Sequence, residues 1–313
     1  MTTGSPFRAA VVGVGHFGRY HARILSRLPG VELVGVVDID PVRAEAVATE
    51  VGTRAVPDVE ALVSDVDGVT IAVPTAAHAR VALPLLRAGI PVLVEKPIST
   101  TVADADVLVE TANASRTTLA VGHTERHNPA VTIGHALVSM PRFIEVHRLA
   151  AFAPRSLDVD VVFDVMIHDL DVILSIVDAV PESIEAVGVP VLSDRVDIAN
   201  ARIRFRGGCI ANLTASRISR DQVRKLRVFQ PHAYVSIDYA AQHVEAWRVI
   251  RDGETGPAIE GGPVDVPRAE PLERELADFV HAVQTEARPR VNGADGRRAL
   301  ALAQSIATAI AAQ

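Results

Sequence analysis

The chain has 313 residues, 49% of them hydrophobic and 22% charged, which suits two domains with separate cores and excludes a disordered protein. A net charge of -7 without any basic run argues against a nucleic-acid-binding surface, since phosphate neutralisation needs clustered positive charge. Cys209 is the only cysteine, so neither an intramolecular disulfide nor a thiolate metal cluster is available, and no metal site is expected.

From residue 9 to residue 122, short β-rich runs alternate with amphipathic helical stretches. Residues 9–14 read as a buried strand, 18–28 as a helix, 32–38 as a second strand and 41–51 as a second helix. The series continues with strands at 68–73, 91–95 and 118–122 and helices at 78–88 and 101–115. Continuous Val/Ile/Leu strands separated by helices predict a parallel sheet covered on both faces. Residues 1–122 are therefore expected to form an α/β domain with a doubly wound, Rossmann-type sheet.

After His123 the pattern changes. Strand-like pieces at 143–151, 183–189, 199–206, 209–217, 225–229, 234–238 and 244–251 follow one another, interrupted by a single strongly helical segment at 158–180. Gly207-Gly208, between two such runs, is a two-residue hairpin signal. Residues 254–267, rich in Gly and Pro, read as a surface loop, and helices at 272–287 and 294–312 follow. Residues 123–313 thus predict an α+β domain with a largely antiparallel open sheet. The start of the chain shows no secretory pattern and the last helix is too short to cross a bilayer, so the expectation is a cytoplasmic protein without a membrane partner.

Gly13-Val14-Gly15-His16-Phe17-Gly18 directly follows the first strand and opens the first helix. Gly13 permits the tight turn, Gly15 lets the backbone approach a pyrophosphate, and Gly18 allows close helix–strand packing. The pyrophosphate would lie at the helix N-terminus. Asp38 ends the second strand 20 residues beyond Gly18, where a ribose-binding acid belongs. A carboxylate there repels a 2′-phosphate, and no arginine stands at 39 or 40, so NAD is favoured over NADP.

Lysine occurs only at 96 and 225, leaving 29 of the 31 cationic residues as arginine. Glu95-Lys96-Pro97 ends the fourth strand, and in an open α/β sheet ligands bind beyond such carboxyl ends. Lys96 is therefore a candidate for meeting substrate beside the cofactor. The 158–180 segment is apolar on nearly every side and is expected to be buried. At 100° per residue, Asp160, Asp164, His168, Asp171 and Ser175 fall on one stripe. Such a stripe either lines a polar site or is a network satisfied by arginines and backbone.

With these pieces in view, the chain resembles the glucose-fructose oxidoreductase and inositol dehydrogenase (Gfo/Idh/MocA) family. The matching segments are Gly13 to Gly18, Pro74-Thr75-Ala76-Ala77-His78, Glu95-Lys96-Pro97, Val121-Gly122-His123 leading to Arg126 and Asn128-Pro129, and Asp164-Val165-Met166-Ile167-His168, in family order. The resemblance implies a catalytic trio, carried over to Lys96, Asp164 and His168. It also implies a cofactor site including Gly13, Gly15, His16, Phe17, Gly18, Asp38, Pro74, Thr75, His78, Glu95 and Lys96, and dimers or tetramers formed through the open face of the second sheet. The segment 228–233 lacks the glycines common in relatives, and His127 replaces a frequent aromatic residue.

Alcohol oxidation needs a hydride acceptor, the nicotinamide, and a proton acceptor. His168 suits the second role because an imidazole exchanges protons near neutral pH, with Lys96 stabilising the alkoxide and Asp164 orienting substrate or histidine; the opposite assignment, Lys96 as base, stays open. Glu125, Arg126, Asn128, Arg148 and Arg155 are further substrate-side candidates. The segments 121–126, 147–149 and 158–160 look most like the branch that oxidises UDP-N-acetylglucosamine at its 3-hydroxyl, ahead of amination in lipid A precursor synthesis. The competing expectations are a dehydrogenase of a free polyol such as myo-inositol, an NAD-dependent glycosidase, and a non-catalytic NAD-binding regulator.

Overall fold

The computed structural model describes residues 5–151, 159–252 and 256–312. The chain divides into two compact units, Met1–Thr124 with Glu270–Arg297, and Glu125–Ala269 with Arg298–Gln313. This differs from the expected split into 1–122 and 123–313. A late segment returns to the first unit, where Leu276, Phe279 and Val280 complete a core built on Phe7, Val11, Leu25, Val36 and Leu93.

In the first unit, β1 (Phe7–Val12), β2 (Val31–Val37), β3 (Gly68–Ile71), β4 (Val92–Glu95) and β5 (Leu119–Gly122) form a parallel sheet of order β2-β1-β3-β4-β5. A single parallel bridge from Val36 to Ala55 extends it beyond β2. The strands are apolar because they are covered: β3 and β5 are buried at every position. Helices α1 (His16–Leu25), α2 (Pro41–Val51), α3 (His78–Arg87) and α4 (Val102–Ala114) link them. Local signals set their ends. Asp40 accepts from the N–H groups of Val42 and Arg43 to cap α2, Pro41 opens that helix, and Gly52 closes it in the left-handed conformation. Helix α7 (Pro271–Gln284) brings Phe279 against Phe7, with ring centroids 6.5 Å apart and nearly perpendicular.

In the second unit, α5 (Pro129–Ala136) precedes β6 (Phe143–Leu149), and a π-turn (Val162–Met166) runs directly into α6 (Ile167–Val177). Then follow β7 (Pro181–Val189), β8 (Ile198–Phe205), β9 (Ile210–Ser216), β10 (Val223–Gln230), β11 (Ala233–Asp238), β12 (His243–Asp252) and β13 (Gly256–Val264). The sheet order is β13-β12-β11-β10-β6-β9-β8-β7, antiparallel throughout except for the β6–β9 pair. One face buries Val146, Leu213, Leu226, Val228, Val235 and Ile237 together with Ile167, Leu170, Ile173 and, from α8 (Gly293–Ala311), Leu302 and Ile306. The other face carries Phe143, Phe229, Tyr234 and Trp247 in one cross-strand row, with Phe143–Phe229 and Phe229–Tyr234 centroids 5.6 and 5.1 Å apart.

Three expectations need correction. The Gly/Pro-rich stretch read as a surface loop is strand β13, paired among the described residues only with β12. An edge strand tolerates such composition because one row of its backbone groups has no strand to meet. The 158–180 helix is shorter, ends at Val177, and starts with a π-turn in place of a regular first turn. Helix α5 was not expected; Asn128 caps it and Pro129 stands at its first position. In the segment that lacks family glycines, His232 itself takes the left-handed conformation (φ 64) in the β10–β11 turn.

Candidate active site

The carboxyl ends of the first unit's strands collect most of the cofactor residues named above. Gly13 has φ 83, and a Cβ there would lie 2.8 Å from the Val73 nitrogen; at Gly18 a Cβ would lie 1.7 Å from the Gly13 oxygen. At Gly15 nothing stands within 4 Å of that position, so the turn is closed on the protein side and open on the other. A cavity of about 340 Å³ begins there, bordered by Val14, Gly15, His16, Arg19 and Arg43. No acidic residue occupies the first turn of α1, leaving its positive end for an anion. His16 packs edge-on against Phe17 and Tyr20, and Phe17 is exposed. A larger cavity, about 840 Å³, lies at the opposite strand ends beside Pro91, Thr118 and Arg288 and holds none of these groups.

Asp38 is tied to this turn. Its carboxylate accepts from the Val14 N–H at 2.8 Å, the Asp40 N–H at 2.9 Å and Arg43 Nη2 at 3.0 Å. Burial opposes its ionisation, but the Asp40 and Val14 amides and the Arg43 guanidinium outweigh that and hold its pKa below the usual carboxylate value. Thr75 lies in a short 3-10 turn after β3, following the exposed Pro74. His78, the first residue of α3, is buried with Nδ1 2.8 Å from the Pro97 carbonyl and Nε2 2.9 Å from that of Val73. It therefore joins the β3 end to the Glu95-Lys96-Pro97 segment rather than facing a ligand. Burial pushes its pKa down against the pull of both carbonyls.

Lys96 is half-buried just past β4, and its peptide bond to Pro97 is cis. The neighbouring Glu95 uses both carboxylate oxygens: Oε1 lies 3.0 Å from His21 Nε2 and Oε2 accepts the Lys96 N–H at 3.1 Å. Gly122 on β5 makes room for it, since a Cβ there would sit 3.1 Å from the Glu95 carboxyl carbon. Burial favours protonating Glu95, yet the bond from His21 and the charge of Lys96 keep its pKa below the usual value.

In the second unit, Asp164 lies within the π-turn and His168 in the first turn of α6, both half-buried. π-turns occur mostly as single insertions in helices and gather at functional sites. The stripe expected from regular helix geometry is only partly kept. Asp160 precedes the helix and accepts the Val196 N–H at 3.1 Å; Asp171 is buried and pairs with Arg126 at 3.3 Å; Ser175 Oγ donates to the Val172 carbonyl at 2.7 Å. The sequence reading missed Asp169, which is buried and receives Arg148 Nε at 2.6 Å and Nη2 at 2.9 Å. Arg148 Nη1 donates to Glu125 at 2.9 Å, and the Tyr239 ring lies 4.9 Å from the guanidinium carbon.

This geometry corrects two substrate-side expectations. Arg148 is 5% exposed, with its charge already offset by two carboxylates, so it is a packing anchor and not a group held out to a phosphate. Asn128 is 2% exposed; its Oδ1 accepts the Ala130 N–H while its Nδ2 donates to the Tyr239 carbonyl and Glu125. Glu125 is thereby drawn into the same network. Arg126 is half-buried, and Arg155 lies outside the described residues.

Comparison with known proteins identifies the family. Residues 7–123 match the model of the oxidoreductase family with an NAD-binding Rossmann fold (GFO_IDH_MocA), and residues 130–235 match the GFO/IDH/MocA C-terminal domain. The chain is 38% identical over 309 residues, 97% of each protein, to a UDP-N-acetylglucosamine 3-dehydrogenase of Acidithiobacillus ferrooxidans. A solved structure of that enzyme superposes with a TM-score of 0.91 at 37% identity, covering 98% of each chain. An inositol 2-dehydrogenase of Acidothermus cellulolyticus is 32% identical over 60% of this chain and 58% of its own length. The chain belongs to the Gfo/Idh/MocA family of NAD-binding oxidoreductases.

Proposed function

We propose that this NAD-dependent oxidoreductase oxidises the 3-hydroxyl of UDP-N-acetylglucosamine to a ketone. The observation that carries the reading is likeness over nearly the full length of both chains to an enzyme named for that reaction. NAD, when bound, supplies the hydride acceptor. The Gly13–Gly18 turn and Asp38 hold the dinucleotide, the open Gly15 position admitting a pyrophosphate and the Asp38 carboxylate taking a ribose hydroxyl. The role assigned to His168 is removal of the hydroxyl proton, that of the Lys96 ammonium is to offset developing alkoxide charge, and that of Asp164 is to orient the reacting groups. Arg126 and Arg155 are the cations assigned to the diphosphate. The exposed aromatic row of the second sheet supports a homodimer or homotetramer joined through that face, and the site of action is the cytoplasm.

The test is NADH formation with purified protein and a panel of UDP-N-acetylglucosamine, other UDP-sugars and myo-inositol. Turnover with UDP-N-acetylglucosamine at the highest kcat/KM is expected. A preference for myo-inositol would replace the proposed substrate by the polyol that the inositol dehydrogenase likeness favours, and no NADH with any of them would overturn the reading. Lys96→Ala and His168→Ala are each expected to bind NAD normally, by fluorescence titration, while losing roughly 10²-fold or more in kcat. Near-normal kcat in either variant removes that residue from the mechanism.

A further inference from the structure

Behind Lys96 lies a group of side chains that the reaction just proposed does not use. His21 from α1 is fully buried, Glu275 from α7 is 1% exposed, and Glu95 ends β4 between them. One ligand-type atom from each lies within 4.8 Å of the others. The His21–Glu95 pair is at hydrogen-bond distance, 3.0 Å, so a proton already joins those two atoms.

We propose that His21, Glu95 and Glu275 form a positioning cluster that carries one negative charge, on Glu95, and fixes it directly behind Lys96. Two buried carboxylates this close cannot both ionise, so one of them keeps its proton. The partners decide which. Glu95 has a donor at each oxygen, His21 Nε2 and the Lys96 N–H. Neither oxygen of Glu275 has a hydrogen bond of good geometry among the described residues. Burial and the Glu95 charge push the Glu275 pKa well up, with Thr124 pulling slightly the other way and Asp278 and Glu270 adding to the rise. Glu275 is therefore the neutral acid. His21 reaches Glu95 through Nε2, while its Nδ1 has no hydrogen-bond partner among the described residues. His78 on α3 also faces the cluster, its ring sensing the Glu95 charge. Of the two carboxylates only Glu95 is then charged, and it is bonded to the backbone N–H of the residue assigned to stabilise the alkoxide. It would hold the end of β4 in place and set a fixed negative charge beside Lys96.

The inference rests on the role given to Lys96, but its test does not need turnover. Only two lysines occur in the chain, so protein labelled with 13C at lysine Cε gives two resonances, and Lys96→Arg identifies that of Lys96. In the full-length apoenzyme, Glu95→Gln is expected to lower the Lys96 pKa by about one unit or more, because it removes a fixed opposite charge. Glu275→Gln replaces one neutral group by another of the same shape and is expected to leave that titration within a few tenths of a unit. An unmoved Lys96 titration in Glu95→Gln overturns the proposal, as does an equal shift in Glu275→Gln, which would mean that Glu275 carries charge. Should Glu95→Gln fail to fold, the Glu275→Gln titration alone still decides where the proton resides. Stoichiometric divalent metal retained by the purified protein would also overturn it, since the cluster would then be held by an ion and not by protons. Absence of dehydrogenase activity with normal titrations would strike the proposed function and leave the cluster standing.

Discussion

Asp38 is the side chain proposed to set coenzyme choice, and its neighbours hold it in its charged form. Its three donors, Val14 N–H, Asp40 N–H and Arg43, keep a half-enclosed carboxylate ionised at the mouth of the glycine turn. A 2′-phosphate would meet this charge directly, while Arg43, the cation best able to receive it, is engaged by Asp38. Asp38→Ser should free Arg43 and remove the repulsion together. The ratio of kcat/KM for NAD over NADP is expected to fall by about tenfold or more, a change of about 1.4 kcal/mol in discrimination. Steady-state kinetics with both coenzymes check it, and an unchanged ratio would mean that another residue selects the cofactor. The spacing placed Asp38 at the end of the second strand, and the structure has it there, bonded to the Val14 N–H of the glycine turn. Its pairing with Arg43 was not readable from spacing, since a salt bridge five residues along depends on how the strand end turns into α2.

At the scale of elements, the helix that carries Asp164 and His168 is anchored by Arg148 on β6. Arg148 makes a two-pronged contact with Asp169, and burial raises the Asp169 pKa against the pull of that arginine. Removing the arginine leaves an uncompensated acid in the core. Arg148→Met should destabilise the second unit by roughly 3–5 kcal/mol, whereas Arg148→Met with Asp169→Leu should recover most of the loss. Urea denaturation of the two variants decides the matter: equal midpoints would show that the pair does not anchor the helix. How much of such an element is legible in sequence depends on range. The βαβ order was plain because glycine spacing, apolar strands and caps such as Asp40 act over a few residues. The burial of the helix that carries His168 was plain from its unbroken apolar character. The π-turn was not, as nothing in the order of Val162 to Met166 marks the extra residue in the turn that holds Asp164. Strand β13 was hidden by Gly and Pro that only an edge position permits, and the His21–Glu275 neighbourhood by their places near opposite ends of the chain.

For the whole molecule, the second sheet presents two unlike faces, one closed over by helices and one showing Phe229 at 37% and Trp247 at 40% exposure. A row of four aromatic side chains across β6, β10, β11 and β12, two of them exposed, is the kind of contiguous apolar patch that marks a protein–protein contact. Trp247→Glu is expected to lower the molar mass measured by light scattering from that of a dimer or tetramer to that of one chain, with coenzyme binding retained. A wild-type protein that already runs as a monomer would end the assignment of this face to self-association. The discontinuous first unit has a consequence of another kind. Its sheet is complete by Gly122, yet the layer contributed by Leu276, Phe279 and Val280 arrives only with α7, after the entire second sheet has been synthesised. On the ribosome the nucleotide-binding half must wait, its Phe7 and Leu93 side uncovered, until nearly all of the polypeptide has emerged. Anyone wishing to express that half alone must therefore graft the α7 segment onto it rather than stop translation at its apparent border.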